Sequence, residues 1–266
     1  LAKLYSIEKN SRSIISYQFR GMEQTVDRLM ADIVSSETEL QAVTGGLSRY
    51  RVQVAVSTYS SRGGISGDSC ECRRLEDGRH IFILSDGMGK GAAAAAESGL
   101  AVRTLCDLTE AGFEIETSLR TLNSILLLKS EEEIFSTIDI GIFDEKTGRL
   151  KLYKSGAAST FIKRKGTVKS VKPASLPMGI IDDLRIDFVS AKLRPDDQII
   201  MVSDGVIDSV ERAGREPESA SWLTAVIASI KSKDPQTMAD LIINRAVENY
   251  GLREKDDLTV ISVLIK

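Results

Sequence analysis

The sequence predicts an α+β layered domain, and three observations carry that prediction. Short apolar or alternating runs recur along the chain, bounded by Gly, Asp and Ser clusters that read as turns. The helical patterns gather in two blocks rather than being spread evenly. An apolar run ending in Ser-Asp-Gly occurs twice, at Ser85-Asp86-Gly87 and at Ser203-Asp204-Gly205.

The chain of 266 residues is long enough to bury a sizeable core as one or two domains. Its 35 Lys/Arg against 38 Asp/Glu leave a net charge of −3. No basic stripe with interleaved aromatics is present, which argues against a nucleic-acid surface. No apolar run approaches the ~18 residues of a membrane span, and no secretory signal is visible. The first residue is Leu rather than Met, so the chain is expected to be a piece of something longer. Three cysteines make no disulfide framework, and a reducing, cytoplasmic setting fits them best. Cys70 and Cys72 would share one strand face, but His80 is the only histidine, too few ligands for a Cys/His metal site. They read as ordinary strand thiols.

Residues 5–42 read as one long helix, or as a helix broken near Ser35-Ser36. Within it Ile15, Phe19, Met22, Val26, Leu29 and Ile33 follow heptad spacing. Both a coiled-coil seam and an amphipathic helix lying on its own domain fit that pattern. Thr44-Gly45-Gly46-Leu47 then breaks the helix. The expected division is therefore a regulatory helix over 1–46 and a folded domain over 47–266.

Residues 49–58 alternate as a strand should, and Ser60 to Gly67 form a Gly/Ser-rich loop. Cys70–Leu75 and His80–Ser85 read as a hairpin joined through Glu76-Asp77-Gly78-Arg79. That hairpin would bring Asp68 and Asp86 to neighbouring strand ends. Gly91 to Lys129 is helical in two pieces separated by Gly112. Ala92 to Ala96 either provide a narrow helix that another element approaches closely or simply reflect helix propensity. Strands follow over Ser136–Phe143, Leu150–Ser155, Ser159–Lys163, Ile186–Leu193 and Gln198–Ser203. Trp222–Ser232 and Gln236–Tyr250 read as helices, and Val260–Ile265 as the last strand.

Asp68, Asp86, Asp204 and Asp256 now share one context, each at a strand end beside Gly, Asp or Ser. Crowded carboxylates repel one another unless cations are present, and hard Mg²⁺ or Mn²⁺ prefer such all-oxygen sites. Two ions bridged by one carboxylate lie about 3.5–4 Å apart and make a water between them hydroxide-like near neutral pH, a nucleophile for phosphorus. One histidine leaves no usable Ser-His-Asp set. Gly87-Met88-Gly89-Lys90-Gly91 is not a phosphate-binding P-loop, because its spacing is wrong and Gly, not Ser or Thr, follows Lys90.

Gly67-Asp68-Ser69, Ser85-Asp86-Gly87-Met88-Gly89, Ser203-Asp204-Gly205 and Asp256-Asp257-Leu258-Thr259 together resemble the motifs of the PPM (PP2C-like) Ser/Thr phosphatases. Ser136-Thr137-Ile138-Asp139, Ser159-Thr160-Phe161-Ile162-Lys163-Arg164 and Leu176-Pro177-Met178-Gly179-Ile180 point to the branch found in bacterial sporulation. The resemblance covers roughly Val52 to Ile265. It implies a β-sandwich of two antiparallel sheets flanked by α-helices, preceded by a long regulatory helix. It implies two Mn²⁺ or Mg²⁺ ions, with Asp86 bridging them, Gly87 contributing its carbonyl, and Asp204, Asp256 and Asp68 completing the set. Asp68 and Asp86 are the expected catalytic carboxylates. Motif alignment puts Asp256 in the ligand position, and a one-residue shift would exchange it with Asp257. The eukaryotic branch has His where this chain has Met88, so water is expected to protonate the leaving group. Arg62 is a candidate phosphate contact, against the plainer reading of an exposed loop Arg.

The implied activity is hydrolysis of phosphoserine on a small phosphorylated anti-anti-sigma factor by direct attack of metal-activated water, releasing a sigma factor during sporulation. The implied setting is the cytoplasmic part of a membrane-anchored protein, with the membrane reached only through an upstream region. The two helices over about 91–128 are expected to act as a switch on the metal site, and the heptad seam as a lever or dimer contact. Candidate regulatory positions are Gly89, Gly91 and Glu97 around the first helix, and Val26 and Leu29 in the seam. The alternative from another class is a regulatory or assembly module that uses the same fold for docking and dimerisation without catalysis.

Overall fold

In the computed structural model, described residues are 49–61, 64–87, 91–129, 136–172, 176–181, 186, 188–210, 221–253 and 256–266. The heptad seam with Val26 and Leu29, the 1–46 segment, Arg62, Met88, Gly89 and Lys90 lie outside them.

Among the described residues, ten strands make two five-stranded sheets in which every adjacent pair of strands is antiparallel. The first sheet runs β1 (Val52–Tyr59), β10 (Leu258–Ile265), β9 (Gln198–Val202), β6 (Thr160–Arg164) and β7 (Thr167–Val171). The second runs β2 (Asp68–Arg74), β3 (Arg79–Gly87), β4 (Ser136–Asp144), β5 (Arg149–Ser155) and β8 (Phe188–Lys192). Helices α1 (Ala92–Glu110) and α2 (Ile115–Lys129) follow β3. A single turn, α3 (Asp204–Ile207), follows β9, and α4 (Ser221–Ser229) and α5 (Pro235–Tyr250) precede β10.

Strand alternation sorts the apolar side chains into three layers. Phe82, Leu84, Phe143 and Leu152 of one sheet meet Ile199, Met201, Ile261 and Val263 of the other. On the opposite face of the second sheet, Ile81, Ile83, Ile138 and Ile140 are covered by Leu105 of α1 and by Leu119, Leu122 and Leu126 of α2. On the far face of the first sheet, Ile200, Val202 and Val260 pack against Leu223, Ile227, Met238 and Ile242 of α4 and α5. The order is helices, sheet, sheet, helices, as the resemblance implied. Strands β3, β9 and β10 are buried on both faces, which is why they read as continuous apolar runs.

Helix α5 starts as its sequence dictates. Asp234 caps it by accepting Thr237 N–H at 2.8 Å, and Pro235 follows. Two elements escape the sequence reading. Strand β7 pairs with β6 through the tight turn Lys165-Gly166, both at positive φ, but most of it is exposed and its apolar pattern is weak. Helix α3 is a single turn, too short for any periodicity to announce it. No helix among the described residues is long and apolar enough to cross a membrane.

One buried ionic group bridges the sheets. Lys154 of β5 pairs with Asp139 of β4, with side chains 4% and 1% exposed. Thr160 of β6 accepts from Lys154 Nζ at 2.8 Å and donates to Asp139 Oδ2 at 2.6 Å. Burial pulls the Lys154 pKa down against the opposing pull of Asp139. Removing one member strands a charge in the core. Lys154→Ala is therefore expected to cost about 3–5 kcal/mol, whereas replacing both charged partners by well-packed apolar residues costs far less. Urea unfolding of the single and double variants measures the difference.

Candidate metal centre

The β2–β3 register sets Asp68 directly opposite Asp86, at one end of the sandwich. On its other side β3 pairs with β4, where Thr137 stands opposite Asp86 and Ser136 opposite Gly87. Thr137 Oγ1 accepts the Asp86 N–H at 3.1 Å, and Ser136 Oγ donates to the Asp86 carbonyl at 3.0 Å. Ser136 Oγ also lies 2.7 Å from Ser85 Oγ. Asp86 thus projects from a backbone held on both sides.

The other two aspartates arrive from the first sheet. Beyond the end of the ladder, Ser203 N–H donates to the Thr259 carbonyl at 3.0 Å, and Thr259 N–H donates back to Ser203 Oγ at 2.9 Å. That exchange brings Asp204, the first residue of α3, close to the 256–257 segment. Gly205 allows the approach, since a Cβ there would lie 2.2 Å from the Asp257 carbonyl oxygen and 3.1 Å from Asp256 Cβ. Tyr250 of α5 donates its hydroxyl to the Gly205 carbonyl at 2.8 Å.

The proximity of these carboxylates has an electrostatic consequence. Asp86 is pushed up to about 10, first by burial and then by the charges of Asp204, Asp68 and Asp256. Asp68 is raised to about 6, again first by burial; the nearby Thr259 and Ser203 hydroxyls offset part of it, while Asp204 and Asp257 add repulsion. Asp68 Oδ2 is buried and has no hydrogen-bond partner. Buried polar atoms are rarely left so. A crowded all-oxygen donor set with one orphaned carboxylate oxygen fits a hard divalent cation. Among the described residues no three His, Cys, Asp or Glu side chains are already closed around one point, so the aspartates are neighbours short of a finished cage.

Gly87 is the tightest point of the site. A Cβ on it would sit 2.1 Å from the Ala94 carbonyl oxygen, so only glycine lets the first turn of α1 pack here. Ala94 is fully buried, while Ala92, Ala93 and Ala96 are exposed. The close approach is therefore between Gly87 and the Ala94 backbone, made possible by the missing side chain of the glycine. Gly91 stands at the N-cap of α1 with a φ of 80°, and Glu97 lies half-buried on the same helix.

Asp257 behaves differently from its neighbour. It is buried, and its two oxygens accept Ser61 N–H and Gly67 N–H, each at 2.7 Å. His80 is on the distant half of β3, where its Nε2 lies 3.1 Å from Glu145 Oε2. Burial pushes the Cys70 and Cys72 thiols up to about 11 and about 12, as inert strand thiols require. Sequence reasoning missed Ser203, Thr259, Tyr250 and the tie made by Asp257. The Ser and Thr beside each Asp were the only local signal for the first two.

A family model described as stage II sporulation protein E matches residues 76–266. Stage II sporulation protein E of Bacillus subtilis is 30% identical over 281 aligned positions, covering 99% of this chain and 34% of that protein. The protein of the same name from Priestia megaterium is 34% identical over 219 positions, covering 82% of this chain and 37% of that one. The chain thus spans about a third of the length of the curated relatives it matches. A solved structure of the PP2C phosphatase domain and a fragment of the regulatory domain of the Bacillus subtilis protein superposes with a TM-score of 0.75. It is 33% identical, covering 82% of this chain and 64% of that one.

The crowding sets a pH dependence in the metal-free protein. Both folded-state values lie above the ordinary 3.8 of an aspartate, so the folded state holds extra protons. The stability this gives is full below about pH 4 and is lost as pH rises, through about 6 for Asp68 and about 10 for Asp86. Metal-free protein should therefore unfold at lower urea concentration at pH 9 than at pH 5.5. Mn²⁺ should raise the midpoint more at the higher pH, and Asp86→Asn should flatten the metal-free slope.

Proposed function

Because the chain belongs to the stage II sporulation protein E family, with its PP2C-type Ser/Thr phosphatase fold, we propose that it is a metal-dependent protein serine phosphatase. The observation that carries this reading is the convergence of four aspartates at one end of the sandwich, Asp68 directly opposite Asp86 with one buried oxygen unpartnered, and Asp204 beside the 256–257 segment across Gly205. A fold gains nothing from crowding four carboxylates unless a cation neutralises them.

In this reading two Mn²⁺ or Mg²⁺ ions would be held by Asp86, the Gly87 carbonyl, Asp204 and Asp256, with Asp68 acting directly or through water. When bound, such ions supply positive charge to a phosphoryl group and lower the pKa of a coordinated water. The chain's own contribution is rigidity. Thr137 and Ser136 hold the Asp86 backbone, and Ser203 and Thr259 hold the start of α3. Hydrolysis then proceeds by direct attack of water on phosphoserine with no covalent phosphoenzyme. Arg62 is the proposed phosphate contact.

The proposed substrate is a phosphorylated anti-anti-sigma factor, and the proposed consequence is sigma factor activation in sporulation. In the same reading 47–266 is the catalytic part, and the 1–46 segment with Val26 and Leu29, which lies outside the described residues, is its regulatory part, as a lever or a dimer contact. Control through α1 and α2 has a physical basis, since Ala94 and the proposed ligand Gly87 are in contact. Displacing the start of α1, around Gly89, Gly91 and Glu97, would release the Gly87 carbonyl.

Asp86→Asn is expected to lose Mn²⁺-dependent phosphate release from a phosphoserine peptide while keeping its circular dichroism spectrum. The loss should exceed the roughly 10–100-fold that supporting hydrogen-bond partners of a metal site contribute. Activity equal to the parent would end the mechanism. Comparing a phosphorylated anti-anti-sigma factor with an unrelated phosphoprotein tests the substrate. Calorimetric titration with Mn²⁺ separates the enzyme from a docking module, which has no use for bound ions.

A further inference from the structure

Gly67, the residue immediately before Asp68, is buried and is gripped from three directions. Its N–H donates to Asp257 Oδ2 at 2.7 Å. Its carbonyl accepts from Ser98 Oγ of α1 at 2.6 Å and from the Gly87 N–H at 3.3 Å. Ser98 Oγ also lies 2.8 Å from Ser69 Oγ, on the other side of Asp68. We propose that Asp257 is a positioning residue of the metal centre, joining the start of β10 to the Gly67 peptide and so fixing where Asp68 stands, while Asp256 alone is the ligand. This rests on the phosphatase reading above.

Six of the eight residues over 60–67 are Ser or Gly, so chain entropy opposes holding Ser61 and Gly67 in place. A buried carboxylate accepting two backbone N–H groups supplies charge-assisted bonds, stronger than neutral ones. Asp257 gives one oxygen to each end of the segment, Ser61 and Gly67. Ser98 completes the arrangement, so one glycine links α1, the end of β3 and the start of β10 beside Asp68.

The test compares Asp257→Ala, Asp257→Asn, Ser98→Ala and Asp256→Asn in the whole chain. Amide hydrogen exchange in metal-free protein reads the tie without reference to activity. Asp257→Ala should speed exchange at Ser61 and Gly67 at least tenfold. With Mn²⁺ it should lower kcat by roughly 10–100-fold, leave KM unchanged and keep the parent's number of calorimetric Mn²⁺ binding events. Asp257→Asn, which retains one acceptor oxygen, should recover part of both effects, and Ser98→Ala should show a smaller loss of the same kind. Asp256→Asn should lose a binding event. The proposal is overturned if Gly67 exchange is unchanged in Asp257→Ala, if that variant loses a binding event as Asp256→Asn does, or if exchange rises while kcat stays at the parent value. A parent chain that neither binds Mn²⁺ nor releases phosphate overturns the phosphatase reading and the positioning role with it. Faster Gly67 exchange in Asp257→Ala would then leave a purely structural tie, which distinguishes the two failures.

Discussion

Like-charged carboxylates pressed together at one end of a β-sandwich are the constraint on which the rest of this structure turns. Without a cation, the arrangement around Asp86 works against folding, since burial and three neighbouring negative charges all oppose its ionisation. The site persists because neither sheet edge is free to relax. Asp86 and Asp68 are opposed in one antiparallel register, and Asp204 and Asp256 are brought together by the Ser203–Thr259 exchange in the other. Such a local cost in stability is a common pattern at functional sites.

What offsets that local cost is burial elsewhere. Three apolar layers, one between the sheets and one under each helical pair, are continuous along β3, β9 and β10. Asp86 lies on β3, Asp204 follows β9 and Asp256 precedes β10, while Asp68 opens the neighbouring β2. The same arrangement explains the glycines. At Gly87 and Gly205 the backbones of two elements approach to distances that no side chain tolerates, so the strand ends meet α1 and the 256–257 segment directly. If the Gly87 carbonyl holds a metal as proposed, a helix packed directly on that backbone is a physical route by which distant parts of the chain could act on the site. At Gly87 the contact is to a backbone carbonyl, the atom least able to adjust independently of the helix that carries it.

The fold was legible to a large extent. Apolar runs at Ile81–Leu84 and Gln198–Val202 and the alternation at Ser136–Phe143 gave strands where strands stand, and the hairpin reading placed Asp68 against Asp86. Strand β7 and helix α3 were not legible, one because both faces are largely exposed, the other because a single turn has no period. For the site, four aspartates at strand ends were visible as a pattern, but their supporting hydroxyls were not. Ser203 and Thr259 lie 56 positions apart, and nothing local indicates that they exchange hydrogen bonds.

The sequence by itself determined which side chains are available for chemistry and which strands are buried on both faces, because composition and periodicity are local properties. It determined the family too, through motifs whose order along the chain is specific. The tertiary structure decided the different surroundings of two adjacent aspartates. Asp256 and Asp257 are identical in chemistry and neighbours in sequence, yet one presses its charge on Asp86 and the other accepts two amides from the loop ahead of Asp68. Only the docking of that loop against the start of β10, fixed by contacts 190 or more residues apart, separates them.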